Sequence, residues 1–246
     1  MNLPPESCHP GPEALARAAA RDLAACLRQL TAGSTHVTIA LSGGRIALPF
    51  FHALTRELKH EPIRLNKVHW FLADERLVPP DNPESNYGCA RKHLLDPLNI
   101  PPTQHHPIPP LANPEQAARI ADENLRRCTA AFKDNVPVLD LVLLGMGEDG
   151  HIASLFPNHP IQPPFPDAAY APVHNAPKPP ATRVTLTWQA LTAAQRVWVL
   201  ISGPNKQQAL SRSLQQDPEV PLGRLLLLRN DIRLYVDHTS LQTRAG

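Results

Sequence analysis

VTIALSGGRIALPFFHALTREL, residues 37–58, contains the clearest structural pattern of this chain. Its first five residues, Val37–Leu41, form a short β-branched and apolar run, which is typical of a buried strand. The run ends at the glycine turn of residues 42–44, and residues 47–58 return to a helical pattern. A strand, a glycine turn and a helix in this order are the opening of a βαβ unit.

The alternation of strands and helices continues along the chain. Further strands are predicted at residues 68–72, 139–144, 183–188 and 197–201, with one or two more within 225–236, and helices at residues 12–30, 84–95, 114–131 and 205–214. The proline-rich residues 97–110 and 157–180 are predicted as loops, the second as a lid or wall over a site. The pattern predicts one domain over residues 1–246, an α/β protein built as a three-layer α/β/α sandwich on a mostly parallel, Rossmann-like sheet.

The composition favours a small-molecule partner. Apolar residues make up 42% of the chain and charged residues 19%, which is typical of a globular protein. A formal charge of +2 is too small for a nucleic-acid or membrane surface, so neither partner is expected. The four cysteines are scattered without a CxxC pair, and neither a signal peptide nor a membrane-spanning run is visible. We therefore expect a cytoplasmic protein, either a monomer or a small homo-oligomer.

Polar clusters follow directly after four of the predicted strands. They are residues 42–45, residues 74–76, residues 145–151, and residues 202–203 with nearby Lys206. Ligands of open parallel sheets bind at the carboxyl ends of the strands. The coincidence of four clusters at strand ends therefore predicts a ligand site there.

The first cluster has the composition of an anion site. Ser42, Gly43 and Gly44 lead into a helix, whose free N–H groups and dipole favour a phosphate. An ordinary tight turn has the same composition, because the motif is neither a Walker loop nor GxGxxG. Arg183 and Lys206 would add the planar fork and the point charge that phosphate sites use.

The third cluster, GMGEDGH, places one histidine among glycines and carboxylates. A neutral His151 is suited to act as a general base, with Asp149 orienting its ring. A structural or solvated histidine is the alternative. The adjacent pair His105 and His106 lies in a proline-rich loop without a neighbouring carboxylate, and we expect it to be solvated.

The second cluster ends a hydrophobic strand with three charges. Arg76 is suited to hold a carbonyl, carboxylate or phosphate oxygen, with Asp74 beside it; a surface ion-pair cluster is the alternative. No histidine, cysteine and carboxylate set has the spacing of a metal site, so neither a metal nor a cofactor is predicted. A G-x-S-x-G elbow is absent from the sequence, which disfavours a serine nucleophile.

Five segments resemble the 6-phosphogluconolactonase family and follow one another in the same order as in that family; the likeness covers nearly the whole chain. Along the chain they are LSGGR (residues 41–45), FLADERLVPPDNPESNYG (71–88), DLVLLGMGEDGHIASLFP (140–157), RVTLT (183–187) and SGPNK (202–206). The most specific of them is the segment of residues 140–157. The resemblance implies hydrolysis of 6-phosphoglucono-1,5-lactone to 6-phosphogluconate in the pentose phosphate pathway. The substrate is then a small phosphosugar lactone.

On this interpretation His151 takes a proton from water and returns it to the leaving ring oxygen, with Asp149 orienting the imidazole. Arg76 stabilises charge on the carbonyl side or helps to bind phosphate, and Asp74 organises that arginine or a sugar hydroxyl. The residues expected to hold the 6-phosphate are Gly43, Gly44, Arg183 and Lys206.

Two other functions remain as alternatives. The glucosamine-6-phosphate deaminases of the same superfamily have a similar DGH loop, but they typically read Asp-Glu-Tyr at residues 74–76 and carry a glutamate where this chain has Phe156. A non-catalytic sugar-phosphate-sensing domain would need a DNA-binding module, which the sequence does not supply convincingly. The chain also departs from the family's Ser-Gly-Gly-Ser-Thr-Pro, since Arg45 and Ile46 replace two hydroxyl side chains. The contacts of Arg45 are therefore open.

Overall fold

The computed structural model describes residues 3, 7–34, 36–60 and 63–241. The prediction that the N-terminus carries no signal peptide falls partly outside the described residues, at residues 1–2 and 4–6. The strands are β1 (Cys8–His9), β2 (Val37–Leu41), β3 (Val68–Leu72), β4 (Asp74–Arg76), β5 (His105–His106), β6 (Phe132–Lys133), β7 (Val136–Pro137), β8 (Leu141–Gly145), β9 (Tyr170–Val173), β10 (Arg183–Leu186), β11 (Val197–Ile201) and β12 (Ile232–Asp237).

Seven of these strands form the central sheet, in the order β1-β12-β11-β8-β2-β3-β5, and every neighbouring pair is parallel. Every residue of β2 and of β11 is buried. Strands covered on both faces favour apolar side chains, and this explains the runs VTIAL and VWVLI. Their one polar side chain, Thr38, donates its hydroxyl to Asp140 at 3.0 Å. The predicted α/β class and the mostly parallel sheet are confirmed.

The helices are α1 (Pro12–Gly33), α2 (Ala47–His60), α3 (Asn86–Ala90), α4 (Pro114–Cys128), α5 (Trp188–Ala193), α6 (Gln207–Leu214) and α7 (Pro221–Leu228). A π-helical turn, Arg91–Leu95, continues α3. Side-chain caps fix several starts: Asn113 Oδ1 accepts from Gln116 N–H at 2.8 Å, as predicted for α4. Within the described residues, no helix is both long and apolar enough to cross a membrane.

A second, three-stranded antiparallel sheet, β4-β10-β9, supports the region after β3. Its register pairs Arg183 with Arg76 and Thr185 with Asp74. Arg183, a predicted phosphate-binding residue, is thereby brought beside the cluster of residues 74–76, although the two are more than a hundred residues apart in sequence. Tyr170 on β9 anchors this sheet to the central one, because its buried hydroxyl donates to the Leu72 carbonyl at 2.8 Å.

The structure corrects the predicted secondary structure in several places. Trp188, predicted as the end of a strand, is the first residue of α5. Residues 225–228 are not strand but the end of α7, because a run of leucines fits a buried helix as well as a buried strand. The loop predicted at 157–180 contains the strand β9. Helix α4 ends at Cys128 rather than 131, where the Thr129 hydroxyl bonds to the Val138 carbonyl at 2.8 Å and takes the chain out of the helix.

The prediction that His105 and His106 are solvated is wrong. Both are half-buried on the edge strand β5. The His106 ring stacks on Phe71 with ring centroids 4.3 Å apart, and His105 Nε2 lies 3.0 Å from the Ile100 carbonyl oxygen. Proline removes backbone donors, yet it does not prevent an edge strand from pairing on one side.

Candidate functional site

A cavity of about 380 Å³ lies at the carboxyl ends of β2 and β8, next to β4 and β10. It is lined by Ser42, Gly43, Gly44, Arg45, Ile46, Asp74, Arg76, Asn86, Gly145, Met146, Gly147, Glu148, His151, Ala153, Lys178, Arg183 and Lys206. Three of the four predicted polar clusters meet here, together with Lys206 of the fourth. Ser202 and Gly203 are not among the lining residues; the Ser202 hydroxyl donates instead to Asp237 at 2.6 Å.

The loop of residues 145–151 is closed by its own backbone. The Gly147 N–H donates to the His151 carbonyl at 2.8 Å, and the Gly150 N–H donates to the Gly147 carbonyl at 3.1 Å. A Cβ atom on Gly147 would lie 2.0 Å from His151 Nδ1, and Gly150 has φ +81°. Glycine at 147 therefore gives the imidazole the space that it occupies, and Gly150 accepts the left-handed turn.

His151 is paired with a carboxylate. Its Nδ1 lies 2.5 Å from Asp149 Oδ1, and its ring packs on Phe156 with centroids 4.6 Å apart. In this geometry Nδ1–H donates to the carboxylate, which leaves Nε2 as the nitrogen with a free lone pair. The imidazole lines the cavity, with 19% of the side chain exposed. The arrangement is that of an oriented general base.

Lys178 also contacts the same carboxylate, with Nζ 3.1 Å from Asp149 Oδ1. Burial by itself raises the pKa of Asp149, but the hydrogen bonds and charges of His151 and Lys178 outweigh it and hold the pKa well below its usual value. Asp149 is therefore ionised across the physiological range. Lys178 lies in the proline-rich segment, where the sequence contained no signal for it.

The glycine turn approaches a second element closely. A Cβ atom on Gly43 would lie 1.9 Å from Asn86 Oδ1, and Gly44 has φ +93°. Among the residues described, the backbone N–H groups of Gly44 and Arg45 have no hydrogen-bond partner, and the buried Ser42 hydroxyl has none either. These free donors border the cavity, which fits the prediction of an anion site at this turn.

Lys206 is 94% buried and lines the cavity, and its ammonium group makes no hydrogen bond within the described part of the chain. Burial, followed by the positive charge of Arg45, lowers the pKa of Lys206 to about 8. A buried cation without a partner is costly unless a ligand supplies the counter-charge. The residue is thus suited to bind an anion.

Arg183 is buried too, but most of its donors are used. Its Nε and Nη2 donate to the carbonyls of residues 178–180 at 2.9–3.1 Å, whereas Nη1 contacts only the Ser154 hydroxyl, at 3.4 Å. Burial and the charge of Arg76 lower its pKa. Arg183 therefore fixes the segment that carries Lys178 and presents Nη1 as its remaining donor.

Arg45 lies at the exposed rim. It forms an ion pair with Glu148 at 2.6 Å, and its side chain is 74% exposed. An exposed pair of this kind contributes little stability. The arginine that replaces the family's hydroxyl residue is therefore directed at the neighbouring loop.

Arg76 and Asp74 have different partners. Arg76 Nη1 donates to the Glu84 carbonyl at 2.7 Å and carboxylate at 3.0 Å, while its Nε has no partner among the described residues. Asp74 accepts from the Ser154 hydroxyl at 2.6 Å and from the Asn86 amide at 3.3 Å. Glu84 rather than Asp74 thus positions the guanidinium, and Asp74 positions Ser154 and Asn86.

Glu75 was not among the predicted site residues, yet it organises one wall. Its carboxylate accepts from the N–H groups of Arg76, Asn86 and Tyr87 at 2.7–2.8 Å and from the Ser85 hydroxyl at 3.1 Å. Burial raises the pKa of Glu75 to about 7, against the hydrogen bonds that lower it. The carboxylate binds the free donors at the start of α3 and so places Asn86 against the glycine turn.

Comparison with known proteins gives a consistent result. A family model described as glucosamine-6-phosphate isomerases/6-phosphogluconolactonase matches residues 10–233. The chain is 40% identical over 215 residues to the 6-phosphogluconolactonase of Homo sapiens, covering 85% of this chain and 79% of that protein. It is 35% identical over 209 residues to the 6-phosphogluconolactonase of Mycobacterium leprae, covering 83% of each. The solved structure of 6-phosphogluconolactonase from Trypanosoma cruzi matches with a TM-score of 0.84 at 26% identity, covering 100% of this chain and 99% of that one.

Proposed function

Because the chain belongs to the glucosamine-6-phosphate isomerase/6-phosphogluconolactonase family, we propose that it hydrolyses 6-phosphoglucono-1,5-lactone to 6-phosphogluconate. This is the lactone-opening step of the pentose phosphate pathway. The observation that carries the proposal is the 2.5 Å contact between His151 and Asp149 in a cavity lined by basic side chains. Such a site combines a base for water with counter-charges for a phosphorylated substrate.

The reaction begins with a water molecule beside His151. Nε2 takes a proton from the water as its oxygen attacks the lactone carbonyl carbon, and the ionised Asp149 stabilises the imidazolium that forms. The tetrahedral intermediate then collapses, and the bond from that carbon to the ring oxygen breaks. His151 returns the proton to the ring oxygen, which leaves as a hydroxyl group, while the new carboxylic acid loses its proton to solvent.

The carbonyl oxygen gains negative charge during this attack. Arg76 is the donor that we assign to it, since its Nε is unpaired and its Nη1 is held by Glu84. Asp74 contributes by holding Ser154 and Asn86 in place.

The 6-phosphate needs donors of its own among the residues that line the cavity. We assign it to Lys206, to the Ser42 hydroxyl and to the free N–H groups of Gly44 and Arg45 in the turn that follows Gly43, with Nη1 of Arg183 as a further donor. Arg45 adds positive charge at the rim while it remains paired with Glu148.

We further propose that residues 1–246 form one lactonase domain. Its catalytic groups are side chains of this domain, and the reaction uses no metal. The cytoplasmic location and the choice between a monomer and a small homo-oligomer stay predictions.

The test is hydrolysis of freshly generated 6-phosphogluconolactone, measured beside a blank without protein because such lactones also open unaided. Acceleration over the blank supports the proposal. If the folded protein gives none, the proposal is wrong. Release of ammonia from glucosamine 6-phosphate, or formation of a ketose phosphate, would then identify a deaminase or isomerase. Binding of 6-phosphogluconate without turnover would identify a sensing domain.

A further inference from the structure

Two histidines and a cysteine meet at the β5 edge of the central sheet, away from the cavity. His69 lies on β3, His106 on β5, and Cys128 is the last residue of α4. Their nearest nitrogen and sulfur atoms all lie within 4.8 Å of one another. We call these three residues the edge cluster; none of them lines the cavity.

The separations within the edge cluster are close to those between ligands of one ion. His69 Nδ1 lies 2.9 Å from His106 Nε2, and Cys128 Sγ lies 3.6 Å from the same nitrogen. In a tetrahedral zinc site with bonds of about 2.0–2.3 Å, neighbouring ligand atoms are about 3.3–3.7 Å apart. To bring the three atoms onto one ion, the two ring nitrogens would have to separate by about half an ångström, and His69 Nδ1 and Cys128 Sγ, which lie within 4.8 Å of each other, would have to come to about 3.7 Å.

The surroundings orient both imidazoles. His36 Nδ1 lies 2.9 Å from His69 Nε2, so His69 can bind an ion through Nδ1 while Nε2–H donates to His36. Metal-bound histidines usually donate their other N–H in this way. His106 is fixed by its stacking on Phe71. All three residues of the edge cluster are half-buried, which leaves access for an ion and for a water molecule as fourth ligand.

The charge state of the rings is compatible with ligation. Burial lowers the pKa of His69, and burial with the charge of His69 lowers that of His106 to about 4. A neutral imidazole has the free lone pair that ligation requires.

We propose that His69, His106 and Cys128 bind a zinc-class divalent cation, with a water molecule completing a tetrahedron. The thiolate and imidazole ligands favour Zn²⁺ over Mg²⁺ or Ca²⁺, which prefer oxygen ligands. On binding, the thiol proton leaves to solvent, and each neutral imidazole keeps its single proton on the nitrogen away from the ion, Nε2 in His69 and Nδ1 in His106, so one proton is released per ion. The ion links β3, β5 and α4, and its role is structural.

The direct test is titration of the metal-free, reduced full-length protein with Co²⁺ and then Zn²⁺. A thiolate bound to Co²⁺ gives charge-transfer absorption in the near ultraviolet, and we expect this band in the wild type, its loss on adding Zn²⁺, and its absence in Cys128→Ser. Zinc affinity should fall about tenfold to a hundredfold in Cys128→Ser. It should fall about tenfold in His36→Ala, which replaces an exposed residue.

His93→Ala is the matched control. His93 and His52 also form a histidine pair, with nitrogens 3.1 Å apart, but no cysteine belongs to it. This variant should keep the band and the zinc affinity of the wild type. A wild type without the band, or equal zinc affinity in the wild type and Cys128→Ser, would overturn the proposal and leave a hydrogen-bonded histidine chain.

A stability measurement gives an independent readout. A saturating zinc concentration should raise the Tm of the wild type and of His93→Ala, because ligand binding to the folded state stabilises it, and should leave Cys128→Ser unshifted. An equal shift in all three proteins would contradict the edge cluster as the site. The metal-site proposal does not rest on the proposed function, and neither experiment uses the lactone. A negative result for the metal site would therefore leave the proposed function untouched.

Discussion

The cavity and the edge cluster each place a histidine ring against a second polar group, and the partner decides what each region is suited to do. In the cavity, His151 faces the carboxylate of Asp149, which orients the ring and leaves one nitrogen for a proton. At the edge cluster, His69 and His106 face each other and a thiol, and the two ring nitrogens and the sulfur lie within 4.8 Å of one another. A carboxylate partner makes a base, whereas neutral and soft partners make a ligand set.

The largest expected effect is on the cavity side of this comparison. His151→Ala should lower kcat for lactone hydrolysis by about 10²–10⁴-fold with a small change in KM, because it removes the base and leaves the phosphate donors. Its zinc-induced rise in Tm should equal that of the wild type. A variant that lost both properties would show that the two regions are not independent.

The next effect concerns the buried cation. Lys206→Met should raise KM for the lactone about 10–100-fold, the equivalent of about 1.5–3 kcal/mol for hydrogen bonds to a charged group, with kcat changed less. Steady-state kinetics on freshly generated lactone would measure it. Exposed Lys92, which is not among the cavity-lining residues, supplies the control as Lys92→Met, expected to match the wild type. A KM unchanged by Lys206→Met would remove Lys206 from the phosphate site.

The fold class and the position of the glycine loop of residues 145–151 at the cavity could be predicted from the sequence because their signals are local. β2 and β11 are largely apolar runs, and Asp149 and His151 are two residues apart in one glycine loop. The edge cluster could not be predicted, since its members are separated by 37 and 22 residues. The pairing of β3 with β5 brings the two histidines together, and the end of α4 adds Cys128. The contacts of Lys178 with Asp149 and of Glu84 with Arg76 could not be predicted either, because each joins residues that are far apart in sequence or in a different loop.

A smaller effect tests how the glycine loop makes room for the base. Gly147→Ala would place a Cβ atom 2.0 Å from His151 Nδ1, so the ring must move, and we expect kcat to fall about tenfold. Gly33→Ala is the matched control, because nothing lies within 4 Å of a Cβ at that position. If Gly147→Ala kept the full rate, the position of the ring seen here would not be the one that acts.

The smallest effect is a change of pH profile. The pKa of Lys206 is lowered to about 8, so its charge is present below that pH and is lost as the pH rises through it. We expect kcat/KM to fall above pH 8 for this reason. Lys206→Arg should remove this decline, since arginine remains protonated to far higher pH. An unchanged decline in the arginine variant would assign it to another group.

Chemical rescue of His151→Ala tests the central claim most directly. Imidazole is added to the variant and, as a blank, to buffer with lactone alone, because imidazole also opens lactones in solution. We predict a restored rate above that blank, which saturates with imidazole and follows its neutral form. A variant as fast as the wild type without imidazole, or an increment equal to the blank, would contradict His151 as the base that activates water.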